Sequence, residues 1–433
     1  MRTAGSAAAV ASSLLVSVVL AGCGGSAVSG AAASTSARAV SLGPCTTAVA
    51  QEPVLSHALT GISPAIGDPF GVAVSRDGRY SFVSGFRGYR NGAYVEVFSD
   101  QGSAPKPVRV IALGVPQAAG DALTSDGRYL LVATGSGAAV LDVARAEQGA
   151  PQALLGFLRS PEAPGGGVPA TAGQAPGSAI LPGALGSAIE VTTSPDGRYA
   201  FVSLEYQNEI AVFNLRHALA SGLHRSGFIG TITLGQAVVG MAVSPNDRWL
   251  YATSEVAAGV HEQLTPHGMP DGTLSVIDLH RAVSTPSTSV VSTVPAGCGT
   301  VRVAVSPDGR VVWVTARESD ALLAYSASDL LSDPKQALLA RIRVGEAPVG
   351  LALVAHGTRI VVADSNRFHA PGERSGLTVV NATAALAGHP SLIGIARAGL
   401  FPRELALEPN GHTLLITNFE SGQLETLDLD HLG

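Results

Sequence analysis

The stretch "SPDGRYAFVS", Ser194 to Ser203, decides the fold, because near copies of it return along the whole chain. Pro195 presets φ, Asp196 can hydrogen-bond its own backbone, and Gly197 accepts the positive φ of a tight hairpin. Arg198 to Ser203 behind the turn is rich in aromatic and branched residues, and Ile189 to Thr192 runs ahead of it. Two strands joined by a tight turn are the expected local structure.

The unit recurs as "GVAVSRDGRYSFVS" from Gly71, "GDALTSDGRYLLVA" from Gly120, "GMAVSPNDRWLYAT" from Gly240 and "RVAVSPDGRVVWVT" from Arg302. Weaker copies are "GLALVAHGTRIVVA" from Gly350 and "ELALEPNGHTLLIT" from Glu404, which makes seven. Their turn positions, Asp77, Asp126, Asp196, Asn246, Asp308, His356 and Asn410, are 49, 70, 50, 62, 48 and 54 residues apart. A unit near fifty residues with two insertions is a repeat architecture.

Each copy is followed by a third apolar segment, such as "IAVFNL" (210–215) or "LSVIDL" (274–279), and all but the last by a fourth, such as "FIGTITLG" (228–235). Four antiparallel strands repeated seven times predict an all-β, seven-bladed β-propeller. The seventh copy ends after its third strand, while an orphan strand-like stretch, residues 53–67, precedes the first copy. The N-terminal segment is therefore expected to complete the last blade and close the ring.

The "SPDG" turn, with a following strand that ends in Ile416-Thr417-Asn418, resembles the YVTN-repeat family of seven-bladed propellers over residues 53–433. The resemblance implies the fold. That family includes surface-layer and periplasmic proteins and is similar in architecture to bacterial lactonase propellers, but no lactonase-type active-site pattern carries over to these residues.

The hydrophobic share of 46%, charged share of 14%, 51 Gly and 26 Pro fit a turn-rich all-β chain. At the N-terminus Arg2 is followed by an apolar run and by "LAGC", Leu20 to Cys23. This is a secretory signal, and the small residues before Cys23 resemble a bacterial lipobox, with Cys23 lipidated after cleavage. The expected organisation is a signal over residues 1–22, a flexible tether over 23–52 and one propeller over 53–433, outside the cell membrane and held to it by lipid. A second low-complexity run, residues 160–186, reads as a surface loop.

Cys45 and Cys298 remain, in a compartment where a bridge is allowed. The chain between Cys45 and Val54 can reach across a blade, so the disulfide is attainable without being compelled. The formal charge of −6, without a basic run, argues against a nucleic-acid partner. The expected partners are the membrane, through the anchor, and an unidentified protein or small-molecule ligand, with the chain a monomer.

"HEQLTPH" (261–267) departs from the HExxH zinc motif, since its histidines are six apart with Pro266 between them. His261, Glu262, His267 and Asp271 therefore read as polar loop, and no metal or cofactor is assigned. No nucleophile elbow, P-loop or dinucleotide fingerprint is present.

Six residues before each turn position lie Gly71, Gly120, Glu190, Gly240, Arg302, Gly350 and Glu404. Inner strands converge on the propeller axis, so Glu190, Arg302 and Glu404 are expected to meet at the channel mouth. They form either a structural ion cluster or a polar ligand site, with Arg87, Glu205, Asp364, Asn366 and Asn418 as its rim. Two functions stand: a membrane-tethered binding scaffold, or a lactonase-like extracytoplasmic hydrolase with a divalent metal at the mouth.

Overall fold

The computed structural model describes residues 40–43, 45, 49–50, 53–56, 59–87, 92–102, 104–161, 188–225, 227–259, 271–369, 372 and 374–432. The signal, Cys23, most of the tether, the 162–187 run and "HEQLTPH" lie outside them.

Seven blades, each built on four antiparallel strands, follow one another round the ring. Blade one runs from Asp68–Val74 to Lys106–Ala112, and blade two from Asp121–Leu123 to Leu154–Arg159. Blade three spans Ala188–Thr193 to Phe228–Thr233, blade four Gln236–Val243 to Val290–Cys298, and blade five Thr300–Val305 to Leu338–Arg343. Blade six spans Pro348–Val354 to Leu392–Arg397. Blade seven takes its first three strands from Pro402–Leu407, Thr413–Asn418 and Gln423–Asp428, and its fourth from Leu59–Pro64, with Ile62 opposite Glu425. Each inner strand touches the next, and Pro402–Leu407 touches Asp68–Val74, so the ring is closed as expected.

The repeated residues earn their recurrence through hydrogen bonds. In the hairpin turn the Ser194 hydroxyl donates to Asp196 at 2.6 Å and accepts from the Tyr199 N–H at 3.0 Å, while Asp196 accepts from the Arg198 N–H at 3.0 Å. Gly197 sits at φ 65°. The same pattern forms at Ser75, Thr124, Ser244 and Ser306. At the end of the third strand, Asp142, Asn214, Asp278 and Asn381 each cap a short helix through the side chain.

The hydroxyl residue in the second strand joins blades. Thr253 accepts from the Gly240 N–H of its own blade at 2.9 Å and donates to the Val301 carbonyl of the next at 2.6 Å. Ser84, Ser203, Thr315 and Thr417 donate likewise to Ala119, Val239, Val349 and Phe70, the last bond spanning the closure of the ring. Blades two and six carry Ala133 and Ala363 at this position and lack the bond. The neighbouring strands come so close that a Cβ on Gly240 would stand 2.5 Å from the Val301 carbonyl oxygen, which is why glycine recurs there.

Two features extend the expected plan upstream. Val54–Leu55 lies parallel to the outer strand of blade six, with Val54 opposite Ile395. Cys45 is joined to Cys298, Cα to Cα 5.6 Å, and Leu42 packs against the hydrophobic cluster of blades four and five, within a compact unit that spans Val40–Gly433.

Candidate functional site

Two rings of residues lie at the end of the propeller where the inner strands begin. The first is the position directly before the glycine-rich register: Phe70, Ala119, Ile189, Val239, Val301, Val349 and Arg403. The six apolar members are buried in one shared cluster together with Phe86, Phe401 and Phe419. The seventh is an arginine, 8% exposed.

One residue further along, the three expected charges do meet. Arg302 Nε lies 3.1 Å from Glu190 Oε2 and donates to Glu404 Oε1 at 2.8 Å, and its Nη2 also bonds Glu404. Burial, and then crowding by Glu404, pushes Glu190 up to about 8 despite Arg302. Burial works against the Arg302 charge too, but the two carboxylates outweigh it and raise its pKa. Asp121, on the inner strand of blade two beside Ser84, is held well above the carboxylate range by burial, with Glu404 and Glu190 adding to the shift.

The second ring lies two residues past the blade-joining hydroxyl, where each second strand ends. Glu205, Glu255 and Arg317 occupy it on blades three, four and five, and Phe86 and Phe419 on blades one and seven. Arg317 grips Glu255 with two parallel bonds, 2.8 and 2.9 Å, and has Glu318 at 3.5 Å. Burial opposes the Glu255 charge, but Arg317 holds its carboxyl below the usual value. Glu205 is pushed up to about 7 by burial and by Glu255. Arg367 approaches the rings of Phe401 (5.7 Å) and Phe368 (5.8 Å), and burial, aided by Arg317, lowers it to about 10.

The expected rim is corrected by this register. Of the five, Glu205 alone lies at the ring position, and it joins the cluster. Asp364 and Asn418 lie one residue earlier, and strand alternation turns them into the blade. Asp364 accepts from the Thr378 N–H at 3.0 Å and from its hydroxyl at 2.5 Å, and Asn418 is fully buried against Gly399. Arg87 is exposed and stands 6.0 Å from the Tyr94 ring, and Asn366 is fixed by its backbone, whose N–H donates to the Glu346 carbonyl at 3.1 Å.

Arg403, Arg317, Glu255 and Arg367 were missed. For Arg403 the signal was present, because counting one position earlier in the inner strands shows six apolar residues and one arginine.

Among the described residues, one trio of metal-type ligand atoms clusters: Cys45, Asp271 and Cys298. Its two sulfurs are bonded to each other, so they offer no thiolate.

No protein-family model matches the chain, and no curated protein matches it. Among solved structures it is similar to Kuenenia stuttgartiensis hydrazine synthase, with 16% identity and a TM-score of 0.60 over 84% of this chain and 96% of that one. It is also similar to a chain of a mitotic checkpoint complex, with 13% identity and a TM-score of 0.59 over 88% of this chain and 95% of the other. At such identity the likeness carries the fold alone, and the fold is that of a seven-bladed β-propeller.

Proposed function

We propose that this chain is a binding propeller of the YVTN-repeat type, tethered through a lipidated Cys23 outside a bacterial cell membrane, that takes a ligand at the mouth of its central channel. The address rests on the N-terminal signal and the "LAGC" stretch. The observation that carries the binding reading is the convergence of Arg302, Arg317, Arg367 and Arg403 with Glu190, Glu205, Glu255 and Glu404 at one end of the channel, beside Phe401 and Phe419. Such groups are costly to desolvate, and clusters with shifted pKa values concentrate at functional sites. Binding is favoured over hydrolysis because Glu404 and Glu255 are each engaged by an arginine, which opposes their use as bases.

Two experiments test this. Cys23→Ser should move the protein from the membrane fraction to the soluble fraction with its melting temperature unchanged, and retention on membranes would refute the lipid tether. A thermal-shift screen of charged and neutral polar compounds, joined to capture from solubilised membranes, should find a ligand whose binding is weakened by Glu205→Gln. A screen without any stabilising compound or retained protein would refute the binding reading.

A further inference from the structure

Arg403 differs from every other charged group in the cluster. It replaces the apolar residue that the six other blades place at the same position, so the fold itself does not require a charge there. Its guanidinium lies 3.6 Å over the Phe70 ring and 5.5 Å from both Phe401 and Phe419. Its Nε is buried without a hydrogen-bond partner. Among the described residues Arg302 and Arg317 have carboxylates within ion-pair distance, and Arg403 has none. Burial, and then the neighbouring Arg302, lowers it to about 9.

A desolvated guanidinium stacked on aromatic rings recovers part of its lost hydration through cation–π attraction. The burial of one ion costs more than that attraction returns. The remainder is a standing penalty, of the kind natural proteins carry at sites that act on something else.

We infer that Arg403 is the seat of an organic carboxylate, whose charge pairs with the guanidinium and whose apolar or aromatic body reaches the exposed Phe368 at the mouth. This rests on the channel-mouth binding reading and names its ligand class. Glu404 and Glu205 act on Arg403 from beyond ion-pair distance, so the direct contact left open at its guanidinium matches one monoanion. The fork of a guanidinium also fits a carboxylate in two parallel bonds. A phosphate would bring a second negative charge beside Glu190, Glu205 and Glu404, and would be harder to strip of water. Phe368, 36% exposed, supplies an aromatic face near Arg317 and Arg367 for the ligand body.

Calorimetric titration of the full chain with phenylacetate, phenylacetamide and phenyl phosphate tests the inference. Phenylacetate should bind at least ten-fold more tightly than the neutral amide and the phosphate. Arg403→Leu should erase the preference over the amide while raising the melting temperature, because it completes the apolar ring and removes a buried charge that no carboxylate contacts directly. Arg403→Gln, which keeps a polar side chain, should lose the preference as well. Equal affinity for phenylacetate and its amide would overturn the anion while leaving channel-mouth binding standing. Tighter binding of phenyl phosphate would overturn the carboxylate. A lower melting temperature for Arg403→Leu with the preference intact would make Arg403 structural and overturn the inference, as would failure of all three probes to bind.

Discussion

Arg302 and Arg403 lie on inner strands of the same propeller, one register apart, and both are more than nine-tenths buried. Arg302 is closed on both sides, by Glu190 and by Glu404. Arg403 has aromatic rings instead. Burial raises the cost of both charges equally in kind, yet the outcome differs: Arg302 is held more firmly protonated, while Arg403 is lowered to about 9. A buried charge with its partners in place belongs to the architecture. One without them is poised for a partner from outside. The difference is set by a shift of a single residue along a strand, since alternation sends successive side chains to opposite faces.

The sharpest way to break the comparison is to remove the closed arginine. Arg302→Met leaves Glu190 and Glu404 buried at the axis without their cation. Breaking a buried pair in this way costs roughly 3–5 kcal/mol. Denaturant unfolding should show that loss, and Glu190→Gln with Glu404→Gln in the same chain should recover most of it. If Arg302→Met unfolds at the wild-type midpoint, the ion triad of Glu190, Arg302 and Glu404 does not hold the fold together. Arg403→Leu is expected to move stability the other way.

How much of this could be read from the amino acids alone depends on what each residue does. The turn residues, Ser194 with Asp196 and Gly197, act on their own neighbours, so their spacing is visible in one copy and certain in seven. Ring closure was legible as well, because a missing fourth strand and an orphan stretch at 53–67 are two halves of one deficit. The Glu190, Arg302 and Glu404 meeting followed from register. The mouth was only partly legible. Its members leave the ends of second strands, where a choice between Asp364 and Ser365, or Asn418 and Phe419, decides whether a side chain faces the axis or the blade. Sequence pattern gives the strand but leaves that last half-turn open. The strand Val54–Leu55 carried no signal, since two residues have no period.

Acidity separates the two arginines in a second way. Burial pushes Glu190 up to about 8, and Glu205 and Asp100 up to about 7, each above its unfolded value. The native protein therefore holds more protons than the unfolded chain between about pH 4.5 and 8, and stability is fully present below the unfolded values and lost as pH rises through the folded ones. The unfolding free energy should therefore fall from pH 5 to pH 8.5, because the folded chain gives up these extra protons across that range. The carboxylates held low, such as Asp196 and Asp308, act below this window. Glu190→Gln should flatten the slope, and Arg403→Leu should leave most of it. A stability that rises with pH across the window would reverse the assignment. The same protonation bears on the ligand: neutral Glu205 no longer repels a carboxylate, so phenylacetate affinity should increase as pH falls through about 7.

The finest test concerns the contact that holds the two arginines in their different surroundings. Thr417 accepts from the Glu404 N–H at 3.1 Å and donates to the Phe70 carbonyl at 2.9 Å. It thus ties the residue that closes Arg302 to the residue beneath Arg403, across the junction of blades seven and one. Thr417→Val keeps the shape and removes both bonds, leaving a buried N–H and a buried carbonyl unpaired at about 1–3 kcal/mol. The ring should survive, because Ala133 and Ala363 already serve two other junctions without the hydroxyl, and because Leu59–Pro64 still pairs with Gln423–Asp428. Denaturant unfolding should give the loss. Hydrogen exchange should place it at Phe70 to Val72 and at Pro402 to Leu405, rather than spread round the propeller. A uniform loss of protection would mean that the junction is held by packing of Phe70, Phe401 and Phe419 alone, and that the hydroxyl is incidental to the site.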